Sequence, residues 1–228
     1  MNALACYAYE RPDDSFSELL SGGALFEASG LFHPLLSRKN AVGNDVNLNE
    51  TTTFYVISGS NMAGKSTYLR AIGLNAILAF AGAPVCAVGA RISVSHVCAS
   101  ISVEDSLLEG KSKFLAEVER LGESIRVAAG RPVLFLIDEI LSGTNSIDRR
   151  IAAESVIRAL VAEGAVGALS THDLALAEIG DNPHLRGANV HMQSDNPEQP
   201  LSFDYRIKPG ISRQTNALAI VRMMGITN

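Results

Sequence analysis

The sequence predicts an α/β fold in which strands buried on both faces alternate with helices. Three apolar runs support this prediction: residues 54–57, 133–137 and 164–170. Each run ends in glycines, acids or hydroxyl-bearing side chains, and a helix-forming stretch follows. Short continuous apolar runs are typical of strands in a parallel sheet whose two faces are both covered. We therefore expect a central, mostly parallel sheet with flanking helices.

Two further elements complete the predicted fold. Residues 188–192 and 201–207 alternate in polarity around a polar loop, which favours a hairpin and hence a small antiparallel part. A helix is expected over residues 149–163, with the carboxylate of Asp148 as its N-cap.

Size and composition indicate a globular domain rather than an autonomous nucleic-acid binder. The chain has 228 residues, of which 47% are hydrophobic and 19% are charged, as in one large domain with a buried core. The chain has a net charge of −5, whereas proteins that bind nucleic acids directly usually have an excess of basic residues. The three cysteines, Cys6, Cys86 and Cys98, have no C-x-x-C spacing, and no secretory signal precedes them. This pattern favours reduced thiols and a cytoplasmic location.

The most apolar stretch of the chain, residues 72–90, is a buried helix rather than a membrane span in our interpretation. It contains Asn75 and is interrupted by Gly82-Ala83-Pro84. We expect the helix to end near Gly82 and expect no membrane partner.

Residues 59–67 predict a phosphate-binding loop. They read G-S-N-M-A-G-K-S-T, which matches G-x-x-x-x-G-K-[ST] between a strand and a helix. Glycines let backbone N–H groups turn inward around a phosphate, and the helix N-terminus adds partial positive charge. Lys65 would reach the terminal phosphates of a nucleoside triphosphate, and the Ser66 hydroxyl would bind Mg²⁺. The residues assigned to nucleotide binding are Gly59, Ser60, Asn61, Met62, Ala63, Gly64, Lys65, Ser66 and Thr67.

Two adjacent acids, Asp138 and Glu139, follow the second apolar run. At a strand end such a pair is often only a solvated turn. Downstream of a phosphate-binding loop, Asp138 is expected to hold the Mg²⁺ shell, and Glu139 to orient the attacking water. The candidate catalytic residues are therefore Glu139 and Lys65, together with His172.

His172 follows the third apolar run within Thr171-His172-Asp173. We favour a role in sensing the γ-phosphate, because a third strand end should meet the other two at the same edge of the sheet. The alternative is a turn in which Asp173 caps the next helix.

Contacts to a nucleotide base are expected upstream of the loop. Val42 or His33 is the candidate, within an apolar wall that has a polar edge. An equally good interpretation is that both side chains pack against the first strand.

In their order, these motifs resemble the ATPase domain of the MutS family of DNA mismatch-repair proteins, over roughly residues 30–225. The resemblance rests on N-M-x-G-K-S-T within residues 61–67, D-E-I-x-x-G-T over residues 138–144, Thr171-His172 and His33-Pro34. There are departures: Ser60 and Ala63 replace a proline and a glycine that are common in the family. Ala41-Val42 stands where an aromatic that stacks on the base is expected, which suggests a divergent MutS-like branch.

The resemblance implies an ABC-type ATPase that uses ATP and Mg²⁺ and has composite sites. In such a site a second copy of the domain closes over the nucleotide, and Ser112 would contact the γ-phosphate in trans. The ATP cycle would be coupled to movement of a DNA clamp, with DNA bound by N-terminal domains outside this chain. Residues 1–30 would then be a remnant of the preceding helical lever region, and residues 31–228 the ATPase domain. The helix-forming residues 3–9 are consistent with that division.

Two alternatives remain. An ATP-switched dimerisation module acting outside mismatch repair would use the same binding residues and would differ only in turnover. A P-loop kinase for a small molecule would need an arginine-rich lid, and the only adjacent arginines are Arg149 and Arg150.

Overall fold

Two β-sheets and the helices packed on them make up the part of the chain that the computed structural model describes, residues 2–101, 113–194, 202–212 and 225. The predicted α/β class with a mostly parallel main sheet is confirmed. The described helices are α1 (Asn2–Glu10), α2 (Lys65–Phe80), α3 (Lys113–Ala128), α4 (Ser146–Ala162) and α5 (Leu174–Ala177), with a 3-10 turn at Glu178–Asp181. The described strands are β1 (Glu18–Leu20), β2 (Phe26–Leu31), β3 (Asn44–Leu48), β4 (Phe54–Ser58), β5 (Gly89–Ser93), β6 (His96–Ser100), β7 (Val133–Ile137), β8 (Val166–Thr171), β9 (Gly187–His191) and β10 (Lys208–Pro209).

The larger sheet has six strands in the order β10-β9-β4-β8-β7-β6. All neighbours are parallel except β10, which runs antiparallel to β9. Ser58 at the end of β4 lies opposite Thr171 at the end of β8, and Ile137 at the end of β7 lies opposite Leu169. The carboxyl ends of the three predicted strands therefore meet at one edge, as expected.

Strands β4 and β7 are buried along their whole length because both faces of the sheet are covered. On one face, Tyr55 and Ile57 of β4 pack in a cluster with residues of α2 such as Leu69. On the other face, Phe54 and Val56 belong to a cluster with residues of α3 and α4. Full burial of one such side chain contributes about 1.5–3 kcal/mol, so packing on both faces stabilises the strand within the sheet.

The smaller sheet has the order β1-β5-β2-β3 and is mainly antiparallel. Within it, Phe26 of β2 is fully buried between Leu48 and Ile92. The division of the chain at residue 30 stays a prediction, but strand β2 runs across that position. Helix α1 agrees with the helix expected near residues 3–9.

Antiparallel pairing near the end of the chain is present, but its second strand lies later than predicted. Strand β9 pairs with β10 at residues 208–209, and a single bridge joins Ser194 to Phe203. Apart from the bridge at Phe203, the described part of the predicted strand over 201–207 is not a strand, and Asn44 binds two of its backbone groups. The Asn44 Nδ2 donates to Tyr205 O at 2.9 Å, and Ile207 N donates to Asn44 Oδ1 at 2.7 Å. Residues 195–201 lie outside the described part of the chain.

The N-cap of α4 is Asn145 and not Asp148. The helix begins earlier than expected, at Ser146, and Asn145 has the extended backbone of a cap residue. Its Oδ1 accepts from Ile147 N at 3.1 Å and from Asp148 N at 3.0 Å. Asp148 instead lies in the first turn, where it accepts a hydrogen bond from Asn145 Nδ2 at 2.6 Å.

Helix α2 ends at Phe80, and Gly82 follows with a positive φ of 76°, so the predicted end near Gly82 is confirmed. Within the described residues, no helix combines the length and the apolarity needed to cross a membrane.

Candidate functional site

The 59–67 loop joins β4 directly to the N-terminus of α2, as its sequence predicted. Its shape depends on glycine, because Gly59 has φ 141° and Gly64 has φ 104°. A Cβ atom on Gly59 would lie 2.1 Å from Met192 O, a distance that no side chain tolerates. The loop therefore follows a path between β4 and residue 192 that only glycine permits at this position.

Lys65 is the first residue of α2 and turns back into the loop. The side chain is 5% exposed, and its Nζ donates to Gly59 O at 2.8 Å and to Ser60 O at 3.1 Å. The same Nζ lies 3.7 Å from Glu139 Oε1. Burial lowers the pKa of Lys65, and the carboxylates of Glu139 and Asp138 oppose that shift. The amine is thus held among oxygens at the centre of the site.

The two acids and His172 meet at the ends of β7 and β8. Ser170 connects them, because its Oγ donates to Asp138 Oδ1 at 2.6 Å and accepts from Glu139 N at 3.0 Å. His172 Nδ1 lies 2.5 Å from Glu139 Oε2. Glu139 has a left-handed backbone with φ 53°, which is uncommon for a residue with a side chain. Its two carboxylate oxygens thus contact two different side chains: Oε1 faces Lys65, and Oε2 faces His172.

A cavity of about 680 Å³ opens beside these groups. This volume lies in the range of small-molecule sites, about 300–1,000 Å³. Its lining combines polar groups of the loop and of Glu139 with apolar and aromatic side chains. The lining includes nine of the predicted residues: His33, Val42, Asn61, Met62, Gly64, Lys65, Ser66, Thr67 and Glu139.

The remaining predicted residues take different positions. Gly59, Ser60 and Ala63 form the body of the loop, and Ala63 is buried in the core. Asp138 and His172 flank Glu139. The capping role considered for Asp173 also occurs: its Oδ1 accepts a hydrogen bond from Ala175 N at 3.0 Å and caps α5. Ser112 lies outside the described residues.

Both candidate base contacts line the cavity. His33 and Val42 line it together with Phe32, Tyr68 and Tyr205. Burial and the nearby Arg70 lower the pKa of His33, and its Nδ1 accepts a hydrogen bond from Leu35 N at 3.2 Å. Both the lowered pKa and the hydrogen bond accepted by Nδ1 favour the neutral form of the His33 ring.

Sequence reasoning missed Ser170 and Tyr205. Ser170 had a usable signal: it is a hydroxyl residue near the end of a buried strand, next to the strand that ends in Asp138. Tyr205 had none, because its position at the cavity depends on contacts that are distant in sequence, such as that of its backbone with Asn44.

The residues predicted to bind Mg²⁺ suit that ion chemically. A hydroxyl from Ser66 and a carboxylate from Asp138 are hard oxygen ligands. Mg²⁺ usually keeps several waters and takes only one or two protein ligands plus substrate phosphates. Among the described residues, no group of three or more His, Cys, Asp or Glu side chains could hold a metal ion.

Fold and site together define a class of protein: an α/β domain whose cavity lies at the carboxyl edge of a parallel sheet, around a glycine-rich loop that opens a helix. A family model described as MutS domain V matches residues 55–228. The chain belongs to the MutS domain V family.

Individual relatives agree with this family. The chain is 34% identical over 200 residues to the DNA mismatch repair protein MutS of Lactobacillus delbrueckii subsp. bulgaricus, covering 85% of this chain and 23% of the relative. It is 29% identical over 231 residues to DNA mismatch repair protein MutS 2 of Halobacterium salinarum, covering 99% of this chain and 26% of the relative. The chain thus spans about a quarter of the length of these curated relatives.

Proposed function

We propose that this domain binds ATP together with Mg²⁺ and hydrolyses the ATP to ADP and phosphate. The observation that carries the proposal is the approach of Lys65 Nζ to Glu139 Oε1, 3.7 Å, beside a nucleotide-sized cavity. A cation for the terminal phosphates and a residue that positions the attacking water are two of the parts that recur in proteins that transfer a phosphoryl group to water.

The 59–67 loop would bind the triphosphate. Its backbone N–H groups and the N-terminus of α2 offer partial positive charge, and Lys65 adds a full charge. Ser66 and Asp138 would hold Mg²⁺, which neutralises charge on the phosphate oxygens when bound. The base would occupy the part of the cavity near His33 and Val42.

Glu139 would orient and polarise the water. One of its oxygens faces Lys65, and the other is held by His172. These contacts leave the carboxylate little freedom to rotate, which is what a positioned base needs. A γ-phosphate that approaches Lys65 would also come close to His172, in agreement with a sensor role for this histidine.

We further infer that the active form is a dimer with composite, ABC-type sites, in which Ser112 of a second copy contacts the γ-phosphate. Membership in the family supports this arrangement. So do three exposed apolar side chains: Ile147 and Ile151 on α4, and Leu174 on α5, two residues after His172. The ion pair between Arg149 and Asp173 joins these two helices. Exposed apolar residues of this kind suit a surface that a second copy covers.

The biological role we propose is to couple the ATP cycle to movement of a DNA clamp in a longer MutS-like protein. The curated relatives are named DNA mismatch repair proteins, and they are about four times as long as this chain. The net charge of −5 agrees with DNA contacts made by other domains.

The kinase alternative loses its only candidate lid residues. Arg149 is engaged with three backbone carbonyls, and Arg150 forms an ion pair with Glu178 at 2.6 Å. The dimerisation module without turnover is disfavoured by the defined geometry of Glu139, which binding alone would not need.

The test is the variant Glu139→Ala. We expect it to retain ATP, to lose hydrolysis and to accumulate an ATP-bound dimer in light scattering. The exposed residue Glu163 provides the control, and Glu163→Ala should keep wild-type turnover. Unchanged turnover in Glu139→Ala would show that Glu139 is not the residue that activates the water. Phosphate release without any acceptor separates an ATPase from a kinase.

A further inference from the structure

The loop that follows Glu139, residues 140–144, has an unusual backbone. Leu141 has φ 49°, and Glu139 just before the loop has φ 53°. Two residues with side chains therefore have a left-handed backbone within three positions. Such conformations persist only when surrounding groups impose them. Neither residue is a glycine, so the restraint has to come from contacts elsewhere in the fold.

Glu117 supplies one of these contacts. It lies on α3, is 2% exposed, and its Oε1 accepts a hydrogen bond from Leu141 N at 2.8 Å. Its Oε2 has no hydrogen-bond partner among the described residues. Burying a carboxylate is costly unless it makes a specific contact. Here that contact goes to the backbone two residues after Glu139.

Arg149 supplies the others. Its Nε donates to Leu141 O at 3.2 Å, and its Nη2 donates to Ser142 O at 3.4 Å and to Thr144 O at 3.0 Å. Its Nη1 lies 3.8 Å from Asp173 Oδ2. One guanidinium therefore connects the 140–144 loop with the turn that contains His172.

A close approach within the same loop strengthens the attachment to α3. A Cβ atom on Gly143 would lie 3.0 Å from Phe114 Cβ, so the backbone packs directly on the first turn of α3. Helix α3 begins at Lys113, the residue after Ser112. The contacts of Glu117 thus join Glu139 to the helix that follows the proposed trans contact.

We propose that Glu117 and Arg149 are positioning residues for hydrolysis: they hold the 140–144 loop by its N–H and C=O groups and thereby fix Glu139 beside the cavity. This inference rests on the proposed ATPase function. Neither side chain lines the cavity, so neither is expected to contribute to nucleotide affinity.

A matched pair of variants at Glu117 tests this role. Glu117→Gln keeps an oxygen acceptor for Leu141 N–H, and Glu117→Met has nearly the same length but no such acceptor. We expect kcat to fall about 10- to 100-fold in Glu117→Met, as for a displacement of a catalytic group by about 1 Å. Glu117→Gln should stay within about threefold of wild type, and the Kd for ATP should be unchanged in both.

Rates are normalised to the amount of nucleotide bound, so that a smaller folded fraction does not count as a slower step. Equal kcat in Glu117→Met and Glu117→Gln overturns the proposal, as does a loss of ATP affinity that matches the loss of kcat. If Glu117→Met does not fold, Arg149→Lys decides. It keeps the charge and the helix propensity, but lysine cannot span three carbonyls. A kcat in Arg149→Lys equal to that of wild type then overturns the proposal.

Failure of this inference is distinguishable from failure of the proposed function. No hydrolysis by the wild-type chain, or full hydrolysis by Glu139→Ala, contradicts the function itself. Hydrolysis that is lost in Glu139→Ala but unaffected at Glu117 and Arg149 contradicts only the positioning role.

Discussion

The two loops beside the cavity adopt left-handed backbone conformations for different reasons. In the 59–67 loop, two of the three such positions are glycines, Gly59 and Gly64, and the third is Met62. In the stretch that contains Glu139 and Leu141, both positions carry side chains. The first loop obtains its shape from local sequence, and the second from hydrogen bonds to Ser170, Glu117 and Arg149.

This difference suggests that the two loops have separate roles. A loop shaped by its own glycines would bind phosphate in the same way wherever α3 and α4 lie. A loop held by side chains from those helices responds to their positions. We therefore expect ATP binding to depend on the first loop, and hydrolysis to depend on the packing around the second.

The largest effect is expected for Gly59→Ala, which alters the 59–67 loop. The added Cβ would collide with Met192 O, and the backbone conformation is unfavourable for alanine. We expect a loss of about 3 kcal/mol or more in the free energy of unfolding, together with loss of ATP binding.

Gly164→Ala is the matched control. Gly164 also has a positive φ, 75°, but a Cβ atom added there would meet no heavy atom of the described residues within 4 Å. The free energy of unfolding of Gly164→Ala should fall by only about 1–2 kcal/mol. Urea unfolding of both variants measures the difference, and equal losses would contradict the close approach of residue 192.

A smaller effect is expected for Ser170→Ala, which removes the link between the two acids. It leaves Glu139 N and Asp138 Oδ1 without their buried partner, at a cost of about 1–3 kcal/mol. The variant should bind ATP but hydrolyse it at least about tenfold more slowly, because Glu139 is displaced.

The control for this variant is Ser155→Ala, on the exposed face of α4, where the Oγ donates only to Ile151 O. It should change the free energy of unfolding by about 0.5 kcal/mol or less and leave turnover unchanged. Wild-type turnover in Ser170→Ala would show that the second loop does not depend on this hydroxyl.

The smallest effect concerns the pH dependence of stability at Glu117. Burial raises its pKa above the ordinary value of 4.5, while the Leu141 N–H group and the cations Lys113, Arg149 and Arg120 act in the opposite direction. Between 4.5 and the raised pKa, the folded state binds more protons than the unfolded state. Stability therefore falls as pH rises through this window.

Glu117→Gln does not titrate, so it serves as the reference for this prediction. The unfolding free energy of wild type minus that of Glu117→Gln should decrease as pH rises from below 4.5 and then level off above the raised pKa. Urea unfolding at a series of pH values measures this difference. A difference that increases with pH would mean that the carboxylate is stabilised, not destabilised, by its surroundings.

The same contrast explains what could be predicted from the sequence. The 59–67 loop, the buried strand β7 and the end of α2 were predictable, because glycines, apolar runs and helix-stopping residues act on their neighbours. The meeting of Asp138, Glu139 and His172 was predictable from the rule that parallel strands end at one edge. Their roles in catalysis stay predictions until the variants are measured.

What could not be predicted depends on partners that are distant in sequence. Asn44 binds the backbone at residues 205 and 207, more than 160 positions away, and so moves the second strand of the predicted hairpin to residues 208–209. The cap of α4 was misassigned because Asn145 and Asp148 are both good cap residues, and only the backbone conformation decides between them. Tyr205 and Glu117 likewise had no local signal.

The most direct test of separate roles for the two loops compares Lys65→Met with Glu139→Gln in parallel assays of ATP binding and single-turnover hydrolysis. We predict that Lys65→Met loses binding. Glu139→Gln should bind ATP within about threefold of wild type and hydrolyse it about 100-fold more slowly or worse, as expected when a general base is removed. Wild-type hydrolysis by Glu139→Gln, or equal loss of binding in both variants, would contradict the account.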